Sequence, residues 1–342
     1  MTTTKTQAVW QEPVRGEHVD PRIVKLPGNE QMQWFLDHQG PIPPIAHLTG
    51  MRFEAAADGR ARFSLPVTRW LQGPKGTVHA GMFGFAADAS LGTAVGSVLP
   101  RRTGATTAEL SMTFLRTPSP GATLLTADAE LVDCNGTNAL AQVRVTDDAG
   151  TLVAHGTSRY FLFAVTPPDD ADPAPPQAVD YDTPDPYLRE APGAVLGHDA
   201  AGRSGLDILA AQVDGQLPLP PIHHLTGIRP VGASKGEAVF ALPASRWHAN
   251  TFGIVYGGSL ALLAKSAVAG AAQTLAPPDA SYSALDLKVN FLRPVFPGDG
   301  ELTARGTIVH AGRNLAIGRA EIVDDRGKTV VMASGTTLLQ QA

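Results

Sequence analysis

The sequence predicts an α+β fold that occurs twice in one chain, and two patterns support this prediction. First, residues 79–99 form a long apolar segment with one ionisable side chain, Asp88, in its middle. Second, four runs with strand character follow this segment and are separated by Pro-Gly, Asn-Gly and Asp-Asp-Ala-Gly turns. Because a helix that is apolar on all sides must be enclosed, we expect an antiparallel sheet to wrap around it.

An internal repeat shows that the chain is a tandem duplication. Residues 43–50 (PPIAHLTG) return as residues 220–227 (PPIHHLTG), so that His224 corresponds to His47 at an offset of 177 (224 − 47). The same offset, without gaps, relates Gly28 to Gly205, Arg69-Trp70 to Arg246-Trp247, Gly81 to Gly258, and Phe114-Leu115-Arg116 to Phe291-Leu292-Arg293. Repetition over this length indicates two copies of one structural unit.

The duplication divides the chain into four parts. We expect an N-terminal arm at 1–27, a first domain at 28–163, a linker at 164–204 and a second domain at 205–342. The linker is rich in Pro, Asp and Ala, a composition that cannot form a core. The first domain is predicted to contain helices near 30–38 and 79–99, a strand pair in 52–65 that turns at Asp58-Gly59, and strands at 106–115, 123–132, 137–146 and 151–163.

Composition excludes several classes of protein. A net charge of -5 gives no reason to expect nucleic-acid binding. One cysteine, Cys134, excludes an intramolecular disulfide and a cysteine metal cluster, and we expect it to be a small core residue. No metal-ligand spacing is evident, and residues 1–9 lack an apolar signal core, which predicts a cytoplasmic protein. A membrane span at 80–99 is disfavoured because the second copy has Lys265 where the first has Asp88.

The order of a short helix, a long buried helix and a curled antiparallel sheet is similar to the hotdog fold. The segment His79-Ala80-Gly81 followed by Asp88 resembles the His-Gly-Gly…Asp signature of PaaI-like (phenylacetate-degradation-type) acyl-CoA thioesterases. Residues 107–110 (TAEL) and 114–116 (FLR) resemble the next strand of that family, whereas Ala80 departs from its middle glycine. The resemblance implies hydrolysis of an acyl-CoA thioester, which is the substrate, and implies no cofactor.

In that family the site is divided between two units, and the resemblance implies the same division in this chain. One unit supplies an acid and a strand hydroxyl, and the other supplies an amide side chain and the backbone N–H of the middle glycine at a helix start. Asp88 is eight residues beyond Ala80, about 12 Å along the helix, so it cannot easily serve the start of its own helix. It can serve an antiparallel neighbour, and we expect roughly 5–8 Å between the Asp88 carboxylate and the Gly257 amide nitrogen, across an open cleft.

The two copies differ at these four positions in a complementary way. In the order acid, hydroxyl, amide and helix-start glycine, the first copy has Asp88, Thr107, Gly73 and Ala80, and the second has Lys265, Ala284, Asn250 and Gly257. The sequence therefore predicts one complete catalytic site, formed by Asp88 and Thr107 from the first copy and by Asn250 and Gly257 from the second. Taken alone, Thr107 could be an ordinary strand residue and Asn250 a turn residue.

The predicted mechanism is general-base catalysis. Gly257 and Asn250 would bind the thioester oxygen, and ionised Asp88 would take a proton from a water held by Thr107. Direct attack by Asp88 is the weaker alternative. Pocket or structural roles are expected for four residues at the two helix starts: His79, Gly81, Tyr256 and Gly258. Candidate partners of the CoA phosphates are Arg116, Arg293 and Arg313, with a solvated surface role as the alternative for each.

Two other functions remain open at the sequence level. One is a hotdog hydratase or dehydratase that acts on acyl thioesters, and the other is a non-catalytic acyl-CoA-binding module. Fold alone does not decide among them, so the prediction of a thioesterase rests on the four site positions and the family resemblance. We also expect the tandem chain to form a homodimer.

Overall fold

The computed structural model describes residues 8–38, 40–177, 179–193, 195–196 and 200–340. The helices are α1 (Gly28–Asp37), α2 (Pro44–Thr49), α3 (Gly81–Gly96), α4 (Gly205–Val213), α5 (Pro221–Thr226) and α6 (Gly257–Gln273). The strands of the first domain are β1 (Arg52–Ala57), β2 (Arg60–Pro66), β3 (Thr103–Phe114), β4 (Leu124–Cys134), β5 (Asn138–Asp147) and β6 (Leu152–Ala164). Those of the second are β7 (Arg229–Ser234), β8 (Glu237–Pro243), β9 (Ser281–Ala284), β10 (Asp286–Phe291), β11 (Glu301–Ala311), β12 (Leu315–Val323) and β13 (Thr329–Gln340).

The strands form one continuous antiparallel sheet that joins the two domains. Its order is β1-β2-β4-β5-β6-β3-β10-β13-β12-β11-β8-β7, with β9 paired to β13. The domains meet where β3 pairs with β10, which places Leu287 opposite Met112. Each half of the sheet packs against its own long helix, α3 in the first domain and α6 in the second. The predicted α+β architecture of two tandem units is confirmed.

Helix α3 is buried because the sheet covers one side and α6 covers another. Met82, Phe85 and Leu91 are all completely buried. Facing pairs along the contact between the helices are His79 with Lys265, Gly81 with Leu262, Phe85 with Gly258 and Asp88 with Gly257. Residue numbers rise along α3 as they fall along α6, so the two helices are antiparallel. The middle of each helix therefore lies against the start of the other.

The arm and the linker each cover the domain that they do not immediately precede. The arm forms a 3₁₀ turn at Val9–Gln11 that contacts α5, and the carbonyl of Glu12 accepts a hydrogen bond of 3.0 Å from Trp247 Nε1. The linker does the same in the first domain, where Trp70 Nε1 donates to the carbonyl of Arg189 over 2.9 Å. The two tryptophans that recur in the repeat thus take packing roles.

These two segments contain equivalent turns at equivalent positions of the two domains. The linker turn at Pro186–Leu188 contacts α2, and it follows the arm turn at the offset of the sequence repeat (186 − 9). Glu12 and Arg189, which are related by the same offset (189 − 12), form an ion pair of 2.7 Å with each other. The structural repeat therefore extends back to near residue 9, although few residues of the arm and the linker match at this offset.

Two further observations concern the composition-based expectations. Cys134 is exposed at the end of β4, so the expectation that it is a core residue is wrong. Strand β4 extends beyond the part of the sheet that packs on α3, and its last residues face solvent. In the described part of the chain, each helix is too short or too polar to span a membrane.

The glycine at the start of α1 is required by a close approach of two backbones. A Cβ atom on Gly28 would lie 2.0 Å from the carbonyl oxygen of Gly96, at the end of α3. We expect Gly28→Ala to lower the free energy of unfolding by at least about 2 kcal/mol, measured by denaturant titration. Gly96→Ala is the control, because a Cβ there meets nothing within 4 Å. Equal stabilities of the two variants would contradict this account.

Candidate active site

Asp88 lies in the middle of α3 with 7% of its surface exposed. Burial raises the pKa of its carboxyl group from 3.8 to about 7, and the Gly258 backbone N–H and the Thr107 hydroxyl partly oppose this by favouring the ionised form. Its Oδ1 atom is buried and has no hydrogen-bond partner among the described residues. A carboxyl group that is buried with unfilled hydrogen-bonding capacity is a candidate for chemistry.

The Asp88 carboxylate packs directly on the start of α6. A Cβ atom on Gly257 would lie 2.7 Å from Asp88 Oδ2, so a larger residue at that position would force the carboxylate to shift. The positive end of a helix dipole favours a carboxylate there. The open cleft that the sequence suggested between Asp88 and Gly257 is not present between these described residues, because the glycine allows direct contact. Any ligand that accepts a hydrogen bond from the Gly257 amide would therefore have to displace the carboxylate from the helix start.

Thr107 and a tyrosine that the sequence reasoning missed lie beside Asp88. Thr107 of β3 pairs with Tyr160 of β6 in the sheet. The Tyr160 hydroxyl is buried without a described partner, and it would lie 3.6 Å from a Cβ on Gly92, one helical turn after Asp88. Burial, followed by the Asp88 charge, raises the pKa of Tyr160. The repeat could have indicated this residue, because the second copy has Thr337 at the equivalent position. The two copies thus differ here, as they do at the four predicted site positions.

Asn250 has the turn role that the sequence left open as an alternative. Its side-chain Oδ1 accepts hydrogen bonds from the backbone N–H groups of Phe252 (2.9 Å) and Ile254 (3.3 Å). This arrangement shapes the turn that leads into α6 and leaves the side-chain NH₂ group outside those two bonds. The described residues contain no hydrogen bond between Asn250 and Asp88. The structure thus brings Asp88, Thr107 and Gly257 together and places Asn250 in the adjacent turn.

Tyr256 and Gly258 hold the start of α6 on α3. The Tyr256 hydroxyl donates to the carbonyl of Phe85, and the two rings meet edge to face with centroids 4.8 Å apart. A Cβ on Gly258 would lie 2.8 Å from the Phe85 Cα, so this glycine permits the close approach of the helices. Both residues therefore have structural roles that position the amides of α6 at Asp88.

The equivalent place in the other half of the molecule has different chemistry. Lys265 occupies the position of Asp88, and its Nζ lies 3.1 Å from Nε2 of His79, just before α3. A Cβ atom on Gly81 would lie 2.5 Å from the end of the Leu262 side chain, so this glycine lets Leu262 pack against the start of α3. Ala80 stands at the position of Gly257. Among the described residues, this helix start has a lysine where the other has an acid.

The three arginines predicted to contact CoA phosphates lie on the surface. Arg116, Arg293 and Arg313 are all exposed. Arg293 donates to the carbonyl of Thr329 over 2.9 Å, and Arg313 lines a shallow groove with Leu339. A role in CoA binding stays a prediction for each of them.

Comparison with known proteins shows which family the chain belongs to. The family model of the thioesterase superfamily matches residues 75–154 and 252–331, two segments related by the offset of the internal repeat (252 − 75). A protein of Halobacterium salinarum, named "Putative esterase VNG_1336C", is 33% identical over 131 residues, which are 37% of this chain and 82% of that protein. This chain belongs to the thioesterase superfamily.

Solved structures include proteins that are similar to this chain. The acyl-CoA thioesterase II TesB2 of Mycobacterium marinum is 14% identical, with a TM-score of 0.51 over 87% of this chain and 97% of that one, and it shares the fold. A mutant of the phenylacetic acid degradation protein PaaI of Thermus thermophilus is 32% identical over 34% of this chain and 97% of its own, with a TM-score of 0.32. The family match to both copies and the fold shared with TesB2 show that this thioesterase-superfamily chain contains two hotdog domains in tandem.

The burial of Asp88 predicts a pH-dependent stability difference between the wild type and Asp88→Asn. The carboxyl pKa is about 7 in the folded protein, against an ordinary value of 3.8 when the chain is unfolded. Below pH 3.8 the carboxyl is protonated in both states and has no effect on stability. As the pH rises to about 7, the unfolded chain releases this proton while the folded protein retains it. We therefore expect the wild type to lose up to about 4 kcal/mol of unfolding free energy relative to the variant over this window.

Denaturant titrations between pH 4 and 8 measure this difference. The control is Asp133→Asn, which removes an exposed carboxylate at the end of β4. We expect the difference from the wild type to change more with pH for Asp88→Asn than for this control. A constant difference for Asp88→Asn would show that Asp88 ionises as it does in the unfolded chain.

Proposed function

We propose that this chain hydrolyses acyl-CoA thioesters to a free acid and CoA, at one composite site between α3 and the start of α6. One observation carries the proposal: the buried carboxylate of the first domain lies on the amide-lined start of the long helix of the second. At the equivalent place of the other half, the acid is replaced by Lys265 and the helix-start glycine by Ala80. Membership of the thioesterase superfamily supports the reaction class.

In the proposed mechanism, the thioester oxygen takes the place of the carboxylate at the start of α6. The backbone N–H groups there, Gly257 and Gly258, stabilise the negative charge that develops on this oxygen in the tetrahedral intermediate. The NH₂ group of Asn250, in the preceding turn, is a candidate second donor. This exchange requires a small opening between α3 and α6 when the substrate enters.

The displaced Asp88 carboxylate then acts as a general base. It takes a proton from a water molecule, whose oxygen bonds to the carbonyl carbon to form the tetrahedral intermediate. When this intermediate collapses, the C–S bond breaks, and the sulfur takes the proton from Asp88, so that CoA leaves as a thiol. Thr107 and Tyr160 present hydroxyl groups beside the carboxylate and can hold this water. A base with a pKa of about 7 is suited to proton transfer near neutral pH.

Acyl-CoA binding without turnover is the second candidate function. The burial of Asp88 and its direct contact with Gly257 favour this alternative. With no gap between the two groups, a reacting thioester and a water have no room between them in this structure. The two candidates differ in a simple measurement. Release of CoA across a panel of short, long and aromatic acyl-CoA substrates supports hydrolysis, whereas substrate binding without release of a thiol supports the binding module.

We expect Asp88→Asn to lower kcat at least about 100-fold, because loss of a general base typically costs two to four orders of magnitude. The assay follows CoA with a thiol reagent and, in parallel, the hydration of an enoyl-CoA. Wild-type kcat/KM should fall as the pH drops below about 7, where Asp88 of the free enzyme becomes protonated. Lys265→Ala, at the equivalent position, should keep near-normal turnover. Normal turnover by Asp88→Asn would eliminate the assigned base.

A second substitution tests the helix start. Gly257→Ala places a Cβ atom 2.7 Å from Asp88 Oδ2, so we expect the carboxylate to shift and kcat to fall at least about tenfold. The matched control is Ala80→Gly at the equivalent position of the other half, which should leave kcat unchanged. A similar effect of both substitutions on kcat would mean that the two halves contribute equally.

A further inference from the structure

One face of α3, on the side of Asp88 towards the end of the helix, is less covered than the equivalent face of α6. The residues of this face are at helical spacing and are partly exposed, whereas all other residues of α3 are buried: Ala89, Gly92, Thr93 and Gly96. Their equivalents at the offset of the repeat are all buried: Ser266, Ala269, Gly270 and Gln273. The two halves thus differ in packing as well as in charge, and the opening lies in the half that contains Asp88.

In the second half, two side chains fill the space beside this face. The Tyr282 hydroxyl of β9 donates to Gln273 Oε1 over 2.7 Å. Gln273 Nε2 donates in turn to the carbonyl of Gly205, at the start of α4, over 3.3 Å. Gln273 is only 6% exposed. The strand, the end of α6 and the start of α4 are therefore connected, and the space between them is closed.

In the first half, both of these side chains are replaced by much smaller ones. Gly96 stands in place of Gln273, and Ala105 in place of Tyr282, at the same offset (273 − 96 and 282 − 105). A Cβ atom on Gly96 would meet no described atom within 4 Å, and one on Gly92 would meet only the Tyr160 side chain, 3.6 Å away. A groove therefore remains between α3 and the first residues of β3. We call it the α3 groove and define it by Gly92, Thr93, Gly96 and Ala105.

The inner end of the α3 groove has two buried polar groups that lack partners. Asp88 lies one helical turn before Gly92, and its Oδ1 atom has no hydrogen-bond partner among the described residues. The hydroxyl of Tyr160, a residue that is 3% exposed, also lacks a described partner and faces Gly92. Buried polar groups without partners indicate that a ligand or a water completes them. Beyond Tyr160, the side chains that define the groove are small, and only Thr93 has a polar one.

We propose that the α3 groove binds the acyl chain of the thioester, and that Gly96 and Ala105 determine which chain lengths are accepted. This inference rests on the proposed function, because it places the carbonyl group of the substrate at the start of α6. The reacting end of the substrate then lies at Asp88 and Tyr160, and the apolar end lies beyond Gly92. Gly96 is eight residues after Asp88, about 12 Å along the helix axis, which accommodates a linear chain of several carbon atoms.

The chemistry of the α3 groove favours an acyl chain over the pantetheine arm of CoA. The amide groups of pantetheine need hydrogen-bond partners when they are buried, and the side chains that define the groove offer only the Thr93 hydroxyl. A hydrocarbon chain has no such requirement. Each methylene group that it buries strengthens binding by about fourfold.

The binding of two CoA esters tests the proposal without relying on hydrolysis. Isothermal titration calorimetry compares acetyl-CoA with octanoyl-CoA on the full chain with Asp88→Asn, in which turnover is slow. We expect octanoyl-CoA to bind at least about tenfold more tightly, because its longer chain buries more apolar surface. A failure of the proposed hydrolysis would appear only in the CoA-release assay and would not affect this comparison.

Ala105→Tyr, added to the same background, introduces the side chain that closes the second half. We expect octanoyl-CoA to bind at least about tenfold more weakly, and acetyl-CoA to change by less than about threefold. Thr106→Tyr is the matched control, since Thr106 is the exposed neighbour on β3 and its side chain points to the opposite face of the sheet. It should bind both esters as the parent does.

Gly96→Gln provides a second test that does not depend on the folding of Ala105→Tyr. It introduces the other side chain that closes the second half, at a position where a Cβ meets no described atom within 4 Å. We expect the same selective loss of octanoyl-CoA binding. The preference for octanoyl-CoA over acetyl-CoA should therefore decrease in both variants.

Three outcomes would overturn the proposal. The first is that the parent binds neither ester or binds both with equal affinity. The second is an equal loss for both esters in the variants that fill the groove, since the groove would then hold the pantetheine arm, which the two esters share. The third is an equal loss of the preference in Thr106→Tyr, because the effect would then not depend on the groove.

Discussion

The antiparallel packing of α3 against α6 determines where chemistry can occur in this molecule. It places the middle of each long helix against the start of the other, so two equivalent contact regions arise from one arrangement. Small residues make this possible, because Gly258 and Gly81 lie where a Cβ atom would collide with the opposite helix. Since the two domains belong to one chain, each region can evolve separately, which identical subunits of a dimer cannot do.

The positive charge at a helix start explains why the residue that precedes the helix differs between the two contact regions. The positive end of a helix dipole favours the Asp88 carboxylate on Gly257, with a backbone N–H facing it. A lysine at the equivalent place would be repelled by the same dipole. The structure instead provides the imidazole of His79 as an acceptor for Lys265. The replacement of Asp88 by Lys265 is thus accompanied by a different residue before the helix, His79 instead of Tyr256.

Much of the fold follows from periodicity and repetition, whereas close contacts do not. The turn at Asp58-Gly59 and the long helices were predictable, since they depend on local patterns and on a constant offset. The equivalence of the arm and the linker was not, because Glu12 and Arg189 occupy equivalent positions without sharing a residue type. Tyr160 was missed because a tyrosine in a strand resembles core packing. The open cleft was wrong because spacing along a helix does not show how closely two glycine-lined helices approach.

The closed contact at Gly257 also affects the strength of the proposed base. In the free chain the Gly258 N–H and the Thr107 hydroxyl lower the Asp88 pKa, while burial raises it to about 7. A thioester oxygen that takes the helix-start amides removes one of the two interactions that lower this pKa. In the proposed mechanism the carboxylate would consequently become a stronger base when the substrate is bound, which is when a water must be deprotonated. The same buried contact that makes the resting site inaccessible would therefore couple substrate binding to activation of the base.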